Sequence, residues 1–127
     1  MSGQVVHFEI PADDMGRAQD FYREAFGWQL TTVPEMGYTL VMTTPAGPDG
    51  RPSQPGAING GMLTRQGPIT APVVTIDVDD IDEALARIEE LGGKAATPRQ
   101  AVGDMGFSAY FTDSEGNLIG LWQTAQP

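Results

Sequence analysis

Residues 7–14 read HFEIPADD and residues 73–80 read VVTIDVDD, and laying one on the other at an offset of 66 organises the rest of the chain. Both are strand-like runs that end in Asp-Asp. The same offset carries residues 15–27, MGRAQDFYREAFG, onto residues 81–93, IDEALARIEELGG, so that Gly27 falls on Gly93. Each of these segments predicts an amphipathic helix. Met15, Ala18, Tyr22, Ala25 and Phe26 recur at helical spacing in the first, and Ile81, Ala84, Leu85, Ile88 and Leu91 in the second. Asp80 is placed to N-cap the second helix with Glu83 as its capping-box partner, and Gly27 or Gly92 to end a helix in the left-handed conformation. A third match, at offset 69, sets residues 36–43, MGYTLVMT, against residues 105–112, MGFSAYFT, with Gly47 on Gly116. The first half then carries an insertion, PDGRPSQP at 48–55, whose Pro and Gly content predicts an exposed loop. After it AINGGML (57–63) resumes opposite NLIGLWQ (117–123). The fold class that follows is α+β: two βαβββ units, residues 4–64 and 72–124, in a single domain over 1–127.

Composition removes several functions. A chain of 127 residues buries enough surface to fold as one domain without disulfides or structural metal. It has no cysteine, hence no thiolate ligand and no thiol nucleophile. The N-terminal MSGQVVHFEI lacks a basic region followed by an apolar stretch, and no run approaches the roughly 20 apolar residues of a membrane span. The expectation is a cytoplasmic protein with no membrane partner. Seventeen acidic against seven basic residues give a net charge of −10, so no nucleic-acid partner is expected and the acidity reads as a solvated surface. There is no Gly-x-Gly-x-x-Gly, no phosphate loop and no Gly-x-Ser-x-Gly elbow.

With FYREAFGW at 21–28 and DSEGNLIGLWQ at 113–123, the duplicated unit resembles the vicinal-oxygen-chelate superfamily of glyoxalase, bleomycin-resistance and dioxygenase-like proteins over essentially the whole chain. The resemblance implies that paired units curl into an open, cup-shaped barrel and, in the enzymes, hold one divalent metal with His, Glu or Gln at four strand positions. Carried onto this sequence, those positions are His7, Val73, Gly60 and Gly120. One imidazole beside a valine and two glycines falls short of the three or so protein ligands a catalytic site needs, so no metal and no cofactor is expected. A displaced site would have to use Glu9 or Asp77, which strand alternation puts on the same faces as His7 and Val73. The resemblance further implies a homodimer.

Alternation also sorts what such a cup presents. Val6, Phe8 and Ile10, with Val74, Ile76 and Val78, form the faces expected to meet the helices. The opposite faces, read as the ligand-binding lining, carry His7, Glu9, Ile58, Gly60, Met62, Val73, Thr75, Asp77, Leu118, Gly120 and Trp122. That is an apolar surface with a few polar groups, suited to a small organic ligand. His7, the only histidine, is either a hydrogen-bonded core group or a group facing ligand. Glu9 is costly on an inner face unless paired or solvated. Trp28 is expected to close the first helix against its sheet. Tyr38, Phe107, Tyr110 and Phe111 take no assigned face. The leading expectation is a metal-independent binder of a small organic molecule. The alternative is a lyase, isomerase or dioxygenase-like enzyme using His7 with Glu9 or Asp77, and a third possibility is a subunit whose cup is vestigial.

Overall fold

The computed structural model describes residues 3–126, so residues 1, 2 and 127 of the expected domain lie outside it. The chain forms two compact units: His7–Pro72, and the residues up to Val6 together with those from Val73 onward.

Strand β1 (Val5–Ala12), which enters the first unit at His7, leads there into helix α1 (Met15–Phe26) and strands β2 (Gln29–Val33), β3 (Tyr38–Met42) and β4 (Gly60–Thr64). The strand order is β2-β3-β4-β1, antiparallel except for the parallel pair β1 with β4. The second unit repeats this plan. Strand β5 (Val73–Asp77), helix α2 (Ile81–Glu90) and strands β6 (Lys94–Val102), β7 (Gly106–Thr112) and β8 (Leu118–Thr124) give the order β5-β8-β7-β6, with β5 parallel to β8. Among the described residues no helix is long and apolar enough to cross a membrane.

The helix ends are set by local chemistry. Asp14 and Asp80 each hold an extended backbone and accept a hydrogen bond from the N–H three residues on, Arg17 and Glu83 respectively. These bonds satisfy one orphan donor of each first turn. Gly27 (φ 74°) and Gly92 (φ 102°) take the left-handed conformation just past the two helices.

Each helix covers one face of its own sheet. In the first unit Ala12, Val41 and Met62 form the buried centre, packed by Phe8, Met15, Ala18, Tyr22, Trp28 and Leu30. Trp28 stacks on Tyr22 at 4.8 Å and an interplanar angle of 4°, closing the end of α1. In the second unit Ile81, Ala109, Phe111 and Leu121 are buried, with Ile76, Val78, Ala84, Leu85, Ile88, Phe107 and Ile119 around them. Two positions of the expected helical stripes are displaced. Phe26 is 65% exposed because it is the last residue of α1, where it stacks on the outer side of Tyr22 and Trp28. Leu91 is 64% exposed because α2 ends one residue before it. Packing also stops short of Val6 and Val74, which are 39% and 43% exposed.

The 48–55 insertion lies between β3 and β4, and its ends are tied by the Asn59 side chain and by the Thr43 hydroxyl, which donates to the Ile58 carbonyl. Asn59 Oδ1 accepts from the N–H groups of Thr43 and Thr44 (2.8 and 3.1 Å), and its Nδ2 donates to the Thr44 carbonyl (2.9 Å).

Candidate functional site

On the first unit's sheet, the face away from α1 is where alternation puts His7 and Glu9 of β1. The hydrophobic centre takes Phe8 and Ala12 for the helix side, which leaves the odd-numbered residues between them for the other. The neighbouring strand is one residue away from its expected register. Glu9 stands beside Gly61 and Ile10 beside Met62. Met62, fully buried among helix-side residues, therefore lies in the core and not on the His7 face. Gly60 lies on the same side as Met62: a Cβ there would strike the Phe8 carbonyl and come within 2.8 Å of its ring. Ile58 precedes the strand, where its carbonyl accepts from the Thr43 hydroxyl. The glycine beside Glu9 is Gly61. Aligning the repeats by AINGGML alone could not separate it from Gly60.

The shift opens a place for a residue that alternation had left unassigned. Tyr38 begins β3, and its ring crosses Gly61, where a Cβ would overlap the phenol oxygen and ring. Its hydroxyl lies 2.9 Å from His7 Nε2 and donates to Glu9 Oε2 at 3.3 Å. His7 Nε2 and Glu9 Oε2 are 3.9 Å apart, with side chains 31% and 12% exposed. Imidazole, phenol and carboxylate thus form one hydrogen-bonded cluster, which answers the cost of placing Glu9 on this face. The signal in the sequence was a tyrosine opening a strand whose neighbour carries Gly-Gly, legible only once the register is known.

The second unit keeps the expected faces. Thr75 pairs with Gly120 and Asp77 with Trp122, opposite the face that packs Ile76 and Leu121 under α2. Val73 and Thr75 are buried, at 3% and 7% exposure. A Cβ at Gly120 would approach Thr75 Oγ1 to 2.8 Å. Tyr110 stands on the other side of Gly120, and Ser108 beside Trp122. The Trp122 ring lies over Gly106, and its indole N–H donates to Thr124 Oγ1 at 3.1 Å. Of the eleven residues expected on these faces, His7 and Glu9 are joined within the first unit, and Leu118 opens β8 two residues before Gly120. Val73, Thr75, Asp77, Gly120 and Trp122 share one face of the second. Ile58, Gly60 and Met62 are taken elsewhere.

The donor set does not fit the divalent metal that the resemblance implies. Among the described residues no three His, Cys, Asp or Glu side chains are grouped to hold an ion. The equivalents of the family's ligands are valine and glycine, which offer no side-chain donor, and His7 Nε2 is engaged by a phenol.

Comparisons with known proteins agree with this architecture. Residues 4–44 match the family described as bleomycin resistance protein-like N-terminal. A glyoxylase-like domain-containing protein of Didymella fabae is 30% identical over 122 residues, covering 92% of this chain and 91% of that protein. The glyoxylase-named protein CFP32 of Mycobacterium tuberculosis is 31% identical over 120 residues, 91% of this chain and 43% of its own length, so the chain spans less than half of that relative. Among solved structures, a methylmalonyl-CoA epimerase of Streptomyces coelicolor in complex with 2-nitronate-propionyl-CoA superposes with a TM-score of 0.66 at 18% identity, covering 99% of this chain and all of that one. That likeness shows the fold alone. The fungal relative, matched nearly end to end, together with the duplicated βαβββ architecture, shows that the chain belongs to the glyoxalase-like family of the vicinal-oxygen-chelate superfamily.

Proposed function

We propose that the protein binds a small organic molecule without a metal, using the His7–Tyr38–Glu9 cluster as the polar centre of the binding face. The observation that carries this reading is the 2.9 Å contact between His7 Nε2 and the Tyr38 hydroxyl. It turns the one imidazole retained at a family ligand position into part of a protein hydrogen-bond network. Around it the first unit offers Gly61 and the half-exposed Leu40, an apolar surface with a few orienting polar atoms. At Gly61 the place of a side chain is taken by the Tyr38 ring, and at Gly120 the Thr75 hydroxyl lies close to where a Cβ would stand. The enzymatic alternative gains from the same cluster, since a carboxylate and an imidazole bridged by a phenol can exchange a proton. It would use His7 with Glu9 or Asp77. A homodimer is proposed on family resemblance and on the frequency of two-fold assembly, and sedimentation at micromolar concentration checks it.

Because His7 is the only histidine, its ring resonances report the site directly. A fragment screen followed by NMR is expected to return small, mostly apolar molecules that shift the His7 ring signals, with binding weakened by His7→Ala and unaffected by a chelator. Binders that leave those signals untouched, or that need about one equivalent of added divalent metal, would refute the reading.

A further inference from the structure

We infer that the cluster locks His7 in one tautomer, with the proton on Nε2 and Nδ1 left as a bare acceptor, and that the site therefore selects ligands offering an N–H or O–H group. This rests on the proposed binding function and specifies its ligand class.

The argument begins with proton counting. A phenol has one proton and a carboxylate has none to give. The Tyr38 hydroxyl is within hydrogen-bond reach of both His7 Nε2 and Glu9 Oε2. A carboxylate can only accept, so both contacts are hydrogen bonds at once only if the Tyr38 proton goes to Glu9. The phenol oxygen then has only its lone pairs to turn to His7. The 2.9 Å contact is a bond only if Nε2 carries hydrogen. Donation runs in one direction, from His7 to Tyr38 to Glu9, and every member is satisfied.

A neutral imidazole protonated on Nε2 leaves Nδ1 unprotonated. Nδ1 makes no hydrogen bond to any described residue, and among those residues no buried side-chain nitrogen or oxygen lacks a partner, so solvent reaches Nδ1. Its ring is 31% exposed. An incoming molecule meets an acceptor there, beside a carboxylate that is also an acceptor. A carbonyl or ether oxygen gains nothing from that pair and loses its water; an amide N–H, an amine or a hydroxyl is matched.

Gly61 and Tyr38 are the positioning residues of this arrangement. The ring reaches across the sheet to Glu9 only because nothing projects from Gly61. Any side chain there would lift the phenol away from both partners. Gly61→Ala is thus expected to reproduce the effect of Tyr38→Phe on His7, and the double variant to add little to either.

The test uses the intact protein, with the two ring nitrogens of His7 read by nitrogen-15 NMR at a pH where the ring is neutral. Benzamide and N,N-dimethylbenzamide serve as probes that differ in the amide N–H. Wild type is expected to show a protonated Nε2 and an unprotonated Nδ1, and to bind benzamide up to roughly ten-fold more tightly than the dimethyl amide. In Tyr38→Phe both tautomers should appear and the preference between the amides should narrow. That variant keeps the ring, so it remains informative if Gly61→Ala does not fold. An Nδ1-protonated ring in wild type, or a single unchanged tautomer in Tyr38→Phe, overturns the inference even if ligands bind. A locked Nε2 tautomer in a protein that binds neither amide overturns the proposed function and the selectivity, leaving the proton arrangement established.

Discussion

The two units share a strand order and a helix position but differ in what they lay on the opposite face. At the residue that starts the inner row, the first has His7 and the second Val73; two residues on, the first has Glu9 beside Gly61 and the second Thr75 beside Gly120. On the next strand Tyr38 answers Ser108, each two positions from the residue facing the glycine. One scaffold, used twice, carries a hydrogen-bonded His–Tyr–Glu cluster in one copy and, in the other, a face of Val73, Thr75, Gly120 and Trp122 with the single carboxylate of Asp77. On the helix side both copies keep an apolar centre, though of different residues, and the other face diverges in chemistry.

That division can be broken most severely from the helix side. Met62→Ala in the first unit and Ile81→Ala in the second remove fully buried side chains, and each is expected to lower the free energy of unfolding by about 2–5 kcal/mol in urea titrations. On the opposite face the two copies should part. Tyr38→Phe withdraws the hydroxyl shared by His7 and Glu9 and is expected to cost about 1–3 kcal/mol, more than Ser108→Ala at the matching position of the second unit. A Ser108→Ala cost as large as that of Tyr38→Phe would erase the contrast.

Smaller effects sharpen it. The caps are equivalent, so Asp14→Ala and Asp80→Ala should each cost about 1 kcal/mol, measured by thermal unfolding. The smallest effect belongs to the turn at Asp113 that leads into β8. The Asp113 carboxylate accepts from the backbone N–H of Asn117, from the Asn117 side-chain amide and from the Glu115 N–H, and these bonds hold its pKa below the ordinary 3.8. Its contribution is complete above pH 3.8 and is lost as the pH falls through the lowered folded-state value. Asp113→Asn should flatten the melting-temperature profile only on that acid side.

Much of this was legible before any coordinates. HFEIPADD against VVTIDVDD identifies the duplication, and the helices follow from their apolar stripes, from Asp80 at the start of the second and from Gly27 and Gly92 at the ends, because caps and apolar periodicity are local properties. The faces of β5 and β8 were legible for the same reason. The site was half legible. His7 and Glu9 follow from alternation along one strand, but Tyr38 depends on the register between strands. That register is decided by which of two adjacent glycines can lie beneath a phenol ring, a non-local fact. The one-residue slip that put Gly60 and Met62 on the wrong face is the same fact seen from β4. Phe26 and Leu91 were misplaced because periodicity does not say where a helix stops.

The way Asn59 grips Thr43 and Thr44 bears on how the molecule could be re-engineered. The clamp makes the start of β4 independent of what lies between it and β3, so the segment 48–55 is a cassette. A peptide epitope, a protease site or a reporter could be spliced there without reaching the sheet, as exposed loops generally allow. Asn59 and Thr43 are the residues of that junction that a graft must keep.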